Sequence, residues 1–147
     1  MTIPAYDKIY LDSMMQKHRY LFRLIGRNFD DAFSIIETYM NSDYRRYMDM
    51  GNPLYLNKTP KQILGSLDLS FDIHAEISWN YDEFILDWMS DIYNYFQWKY
   101  AIPSSKIVSH IPPEQLYRMY HPLHEASLDN GVEKLMKIGH LNDTAEK

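Results

Sequence analysis

The chain has no cysteine among its 147 residues, which excludes disulfides, thiolate metal sites and cysteine nucleophiles together. Glycine is sparse: Gly26, Gly51, Gly65, Gly131 and Gly139 stand singly, so no glycine-rich loop exists to wrap a phosphate with backbone amides. No apolar run approaches the roughly 18 residues that a membrane span needs. The opening stretch from Met1 to Asp7 lacks a basic segment followed by an apolar one, so no secretory leader is expected and a cytoplasmic location is the simplest expectation. An excess of basic residues is missing too. Residues 1–50 carry seven Lys/Arg against seven Asp/Glu, residues 51–100 three against seven, and residues 101–147 five against six. Non-specific nucleic-acid affinity needs concentrated positive charge, so nucleic acid is a poor default partner for a chain of net charge −5.

What is present is apolar and aromatic. Hydrophobic residues make up 46% of the chain, enough for a real core in one domain, and 13 tyrosines lift the aromatic share to 15%. A tyrosine has an apolar ring and a polar tip, so core margins are the expected place for most of them.

Apolar spacing places a first helix from about Ala5 to Gly26, with Lys8, Asp12, Gln16, Arg19 and Arg23 on its outer side. That basic strip reads as a solvated face, or as a site for an acidic partner. Asp30 is the expected N-cap of a second helix with Phe33 and Ile36 inward; it either continues or restarts through Asn41–Met48, and Gly51-Asn52-Pro53 ends it. Thr59-Pro60 opens a short helix to about Leu67. Residues 68–79 alternate apolar and polar and read as an extended loop sending Leu69, Phe71, Ile73 and Ile77 inward, or as half of a minor hairpin with Pro53–Leu56.

The strongest element follows. Asn80 is the expected cap, with Glu83 completing a capping-box-like start, and the helix extends to about Tyr100. Its polar groups, Glu83, Asp87, Ser90, Asn94 and Gln97, fall in one narrow stripe, and most of the rest is apolar. A helix apolar over so much of its circumference has to be buried on several sides. Pro103-Ser104-Ser105 and Pro112-Pro113 open short helices to about His110 and Tyr120; Pro122 or Leu123 begins the last, ending near Gly139. The expected fold is therefore all-α: a single domain over residues 1–141, a bundle of about six helices around a central buried helix at 80–100, and a frayed tail at 142–147.

Chemistry-bearing clusters are few. His121, His124 and Glu125 form the one group of metal-ligand types, yet Pro122 is expected to put His121 outside the helix and no third ligand is marked, so packing or capping is the expected role and no metal or cofactor is implied. No G-x-S-x-G nucleophile turn occurs, and acidic pairs such as Asp30/Asp31 and Asp82/Glu83 sit at helix starts, where the helix dipole accounts for them. A non-enzymatic protein is the expectation. The helices at 104–110 and 113–120 resemble a helix-turn-helix, but the second offers only Gln115 and Arg118 toward base edges. A DNA-binding regulator is thus the alternative to a protein-binding module. For protein binding, aromatic and arginine side chains are the usual anchors, which singles out Tyr44, Arg45, Arg46 and Tyr47.

Four segments also carry a resemblance. The chain opens on Ala5-Tyr6-Asp7-Lys8-Ile9-Tyr10-Leu11-Asp12, has a Gly51-Asn52-Pro53-Leu54-Tyr55 turn, an aromatic helix through Tyr93-Asn94-Tyr95-Phe96-Gln97-Trp98, and Arg118-Met119-Tyr120-His121-Pro122-Leu123-His124-Glu125-Ala126. In this order they resemble an uncharacterised family of small helical proteins from Gram-positive anaerobes and their mobile elements. Between Asp30 and Met50 the pattern departs from it. The resemblance implies a place beside genes for ADP-ribosyltransferase-like toxins, hence a toxin–antitoxin or phage-defence setting, with such a toxin as partner. It brings no catalytic residues.

Overall fold

Proline positions and side-chain caps cut this chain into many short helices around two long ones. A computed structural model describes residues 3–67 and 80–141. Among these residues the structure is all-α, with no strand: a 3-10 turn at Lys8–Tyr10, then α1 (Leu11–Asn28), α2 (Ala32–Met40), α3 (Asp43–Asp49), α4 (Pro53–Leu56), α5 (Pro60–Ser66), α6 (Glu83–Tyr100), α7 (Ser104–His110), α8 (Pro113–Arg118), α9 (Tyr120–Leu123) and α10 (Leu128–Ile138). The expected bundle around a central helix is what the chain forms, with ten helical segments in place of about six. None of these helices is long and apolar enough to cross a membrane.

The central helix is α6. It packs on α1, α7, α8, α9 and α10, and its buried side chains run all the way round from Ile85 to Trp98. Its cap is Asp82, not Asn80: the Asp82 carboxylate accepts the Phe84 amide at 2.9 Å. Ile85, Met89, Ile92 and Phe96 join Leu21, Ile25, Ile36 and Leu135 in one core. Most tyrosines pack at its margins, but Tyr39 and Tyr93 lie wholly inside it and Tyr10 and Tyr20 are exposed. The Tyr93 hydroxyl donates to Ile111 O at 2.7 Å, and the Tyr117 hydroxyl accepts the Asp82 amide at 3.0 Å.

Helix α1 starts six residues later than its periodicity predicts. The Asp7 carboxylate caps Ile9 N at 3.0 Å, and the segment before it is pinned to the end of α6 by Ala5 N donating to Trp98 O (2.8 Å) and Trp98 Nε1 donating to Tyr6 O (2.7 Å). Asp7, extended at ψ 137°, caps the 3-10 turn and sets where winding begins. Gly26 lies inside α1, where an added Cβ would come within 2.6 Å of Leu86 Cδ1, a side-chain tip that would have to turn aside.

The basic strip of α1 meets an acidic partner within the same chain. Arg19 pairs with Asp91, Arg23 with Asp87 and Arg27 with Glu83, each carboxylate taking both Nε and Nη2 of its arginine. The helices are antiparallel, so a step of four along α1 is met by a step of four back along α6. This forked geometry is the strong form of an Arg–carboxylate contact. The carboxylates are the more buried partners, Asp91 at 9% against 52% for Arg19.

Elsewhere the boundaries move by a residue or two. Asp31, not Asp30, caps α2 by accepting Ser34 N, and Ser42 caps α3 by accepting Arg45 N, which is the restart rather than the continuation. Gly51 takes a left-handed φ of 74° that ends α3. Pro53–Leu56 is a helical turn capped by Asn52, so it offers no hairpin strand; the other half of that hairpin, and the inward residues expected at 68–79, lie outside the described residues, as does the tail. Thr59 and Gln62 form a full capping box on α5. His121 lies within α9, correcting the expectation that Pro122 excludes it: in so short a helix the amide Pro122 lacks would have no acceptor. The last helix begins after Ser127, whose hydroxyl accepts Asn130 N.

Candidate functional site

One arginine is inside the molecule. Arg45, on α3, is 1% exposed and reaches across five helices. Its Nε donates to Asp49 Oδ1 at 3.0 Å and to Ser104 Oγ at 2.8 Å, while Nη1 donates to Asn94 Oδ1 at 2.7 Å and to His18 Nε2 at 2.7 Å. Ser42 starts α3 so that Arg45 and Asp49, four apart, face the core beside Met48. The Asp49 carboxylate then caps α7, accepting Ser104 N and Ser104 Oγ, both at 2.7 Å. Ser104 thus relays between the two charges.

The histidine's protonation follows from its neighbours. His18 Nδ1 lies 2.7 Å from Met14 O, a pure acceptor, so Nδ1 carries the proton and Nε2 is bare. Nε2 faces Arg45 and, at 2.6 Å, the Tyr39 hydroxyl. Complete burial, and then the charge of Arg45, hold His18 well below its ordinary pKa and keep it neutral. Burial likewise pushes the Tyr39 and Tyr6 phenols up to about 12. The hub therefore holds one positive and one negative charge, each anchored by neutral groups.

A cleft of about 400 Å³ opens next to this hub. One side comes from the end of α2 and from α3 (Met40, Asp43, Arg46 and Met50), the other from the α6–α7 junction (Gln97, Ala101, Pro103 and Ser105). Asp49 belongs to both hub and cleft, so the network that fixes Arg45 also fixes the cleft wall. Gln97 is buried; its Nε2 donates to Asp49 O at 3.3 Å, and its Oε1 is buried with no partner. Ala101 adopts a left-handed conformation (φ 51°, ψ 37°), uncommon for a residue with a Cβ.

Of the four residues expected to anchor a partner, Arg45 does not reach the surface; its burial removes it from any contact face. A charged residue is almost never fully buried unless paired, and its partner is four residues on in the same short helix. Tyr44 and Tyr47 are half-buried against Tyr55, edge-on and stacked respectively, both at 4.8 Å. Arg46 is exposed, lies over the Tyr47 ring at 5.3 Å and pairs with Asp43 at 3.5 Å. His18, Asp49 and Ser104 were not singled out by sequence. The signals available were a histidine on the apolar side of α1 and the Arg45–Asp49 spacing.

Of the His121–Glu125 cluster only His124 is packed in; His121 and Glu125 are exposed. His124 stacks on Tyr120 at 4.2 Å with its Nδ1 2.8 Å from Tyr120 O. Among the described residues no three His, Asp or Glu side chains converge as ion ligands. In the α7–α8 pair, α8 spans six residues, buries Leu116 and ties Arg118 to Glu114 at 2.8 Å. Comparison with family models, with curated protein sequences and with solved structures finds no match to this chain.

Proposed function

We propose that this chain is a non-enzymatic protein-binding module whose contact face is the corner between α3 and α4 together with the N-terminal segment over it. The observation that carries this is that, among the described residues, four of the five large apolar side chains more than 60% exposed lie on these segments, the fifth being Phe84 on α6. Met50 and Leu54 are 64% and 72% exposed, and Ile3 and Ile9 are 81% and 77% exposed. The segments bearing them meet where Gly51 packs under Tyr6, a Cβ on Gly51 coming within 2.9 Å of Tyr6 Cβ. Grouped apolar exposure of this kind marks contact sites in folded proteins. Arg46 and Tyr47 lie on the same corner and supply the residue types that anchor interfaces.

The family resemblance supplies the first partner to try, an ADP-ribosyltransferase-like toxin encoded beside the gene. The mechanism is occlusion: a pre-formed helical corner covers the toxin's nucleotide or target site, as an antitoxin would in a toxin–antitoxin or phage-defence locus. The test is co-expression with the neighbouring gene product, followed by size-exclusion chromatography with light scattering. A complex at micromolar concentration is expected, and Met50→Asp and Leu54→Asp should each weaken it about tenfold or more with the melting temperature unchanged. Two monomers eluting separately, or a complex indifferent to both substitutions, would refute the reading.

A further inference from the structure

We propose that the α3–α4 corner is a pH-gated surface: the contact between neutral His18 and Arg45 holds it closed, and a proton on His18 opens it while α1 and α6 stay packed. The purpose of the opening, release of a partner under acid, rests on the reading of this corner as the contact face. Arg46 and Tyr47 lie on α3, Met50 caps it and Leu54 lies on α4, so the face is intact only while α3 is seated.

The geometry leaves His18 no way to become charged in place. Its Nδ1–H is committed to Met14 O, so a second proton can enter only at Nε2. Arg45 Nη1 donates to that same nitrogen at 2.7 Å. Once Nε2 carries hydrogen, two cationic donors face each other across this distance and the contact has to part. The surrounding groups compensate little. On α1, Lys17 adds positive charge and donates to Leu56 O of α4, a helix with no charged residue. The N-terminal segment, α2 and α3 bring Tyr6, Tyr39 and Tyr44, phenols that burial keeps neutral. The Asp49 carboxylate of α3 is occupied by Arg45 and Ser104. Helices α6 and α7 bring the neutral Asn94 and Ser104, while Asp87 and Asp91 of α6 are engaged by Arg23 and Arg19. Lys61 of α5 is exposed. The Tyr39 hydroxyl, 2.6 Å from Nε2, can turn a lone pair toward the new N–H, but it does nothing for the repulsion from Arg45.

The corner gives way before the core because little else holds it. Helix α3 buries Arg45 and Met48 and α4 buries Leu56 alone, whereas α6 is buried from Ile85 to Trp98. Segments with few buried apolar side chains open at a lower cost than the whole domain. Lifting α3 removes the charge of Arg45 and admits water to His18, so the open form takes up the proton with the affinity of an ordinary histidine. The open population therefore rises by up to about tenfold per pH unit as pH falls below about 6.5.

The test is hydrogen exchange of the free ¹⁵N-labelled full chain between pH 7 and pH 5, corrected for the intrinsic exchange rate. The amides of Met50, Asn52 and Leu56 donate to Arg46 O, Tyr47 O and Asn52 O at 3.2, 3.1 and 3.0 Å and report on the corner. Their protection should fall by up to about tenfold per unit, with the amides of α6 better protected throughout. His18→Gln, whose side-chain oxygen can accept from Arg45 and which takes no proton, should flatten that dependence. Corner amides protected as well as those of α6 would overturn the proposal, because no separate opening would exist. So would corner protection that ignores pH in the wild-type chain, or a slope retained in His18→Gln. If His18→Gln does not fold, the wild-type profile decides, since both a less protected corner and its fall with pH are required. No partner enters this measurement, so a complex that never forms would refute the contact-face reading and leave the gate standing.

Discussion

Replacing Arg45 by methionine removes the charge from the centre of the hub while keeping most of the side chain's length. Five acceptors lie within reach of the guanidinium: Asp49 Oδ1, Ser104 Oγ, Asn94 Oδ1, His18 Nε2 and, at 3.4 Å, the Tyr39 hydroxyl oxygen. They do not suffer equally. Ser104 keeps its contact with Asp49, and His18 Nε2 keeps the Tyr39 hydroxyl. Asn94 Oδ1 loses its donor, a deficit of about 1–3 kcal/mol for a buried acceptor. The Asp49 carboxylate keeps its bonds to Ser104 but loses the neutralising charge. Breaking a buried pair by removing one partner costs about 3–5 kcal/mol, and that figure already contains the orphaned groups. A domain of this kind is stable by about 5–15 kcal/mol, so the variant should fold with its urea midpoint well down and its m-value unchanged. Asp49→Asn isolates the cause, because asparagine still caps α7 through its oxygen but needs no counter-charge. The double variant Arg45→Met/Asp49→Asn should be more stable than Arg45→Met by about 1 kcal/mol or more. An Arg45→Met cost below about 1 kcal/mol, or a double variant less stable than that single one, would refute the view that an uncompensated carboxylate is what the arginine prevents.

His18 should leave a signature in the pH dependence of stability. Its unfolded pKa is about 6.5 and its folded value lies well below, so the unfolded chain binds the extra proton and stability falls as pH drops through about 6.5, by up to about 1.4 kcal/mol per unit. Urea midpoints between pH 7 and pH 5 should show a shallower slope in His18→Gln, and an unchanged slope would rule the histidine out. Ala101→Gly should raise the melting temperature, relief of the left-handed strain outweighing the added backbone entropy by about 0.5–1 kcal/mol; a fall would mean the methyl packs usefully. Arg23→Asp and Asp87→Arg should each destabilise by about 0.5–1 kcal/mol, and the double reversal should restore more than half of the summed loss in a denaturation cycle. Strictly additive losses would mean that the pair contributes nothing.

What could be read from the sequence was whatever depends on periodicity. Helix α6 declares itself because its apolar residues go nearly all the way round, and only burial on several sides explains that. The Thr59–Gln62 box and the Gly51 stop are equally local and equally readable. What was hidden depends on contacts between distant segments. The first turn expected of α1 is absent, and residues 5 and 6 instead bond to the end of α6, some ninety positions away. The polar stripe of α6 and the basic strip of α1 were both visible, yet nothing within either helix says that they face one another. Arg45 was legible as an anchor and illegible as a core residue, since its burial requires His18, Asn94 and Ser104 to arrive from three other helices.

The same distinction explains how α1 and α6 find one register. The three arginines and their three carboxylates recur every four residues, so sliding α1 along α6 by about one turn, about 5.4 Å, would re-form two of the three pairs: Arg19 with Asp87, and Arg23 with Glu83. Exposed or half-exposed ion pairs are worth about 0.2–1 kcal/mol each, too little for the loss of one to exclude that alternative. Uniqueness has to come from features that do not repeat. Gly26 is the single glycine of α1, but the atom it leaves room for is the Leu86 Cδ1 tip, which can turn aside, so this contact selects only weakly. The slide would draw His18 away from Asn94 and leave Arg45 without one of its acceptors. The ladder therefore favours the antiparallel pairing of the two long helices, and the buried arginine selects the turn at which they lock.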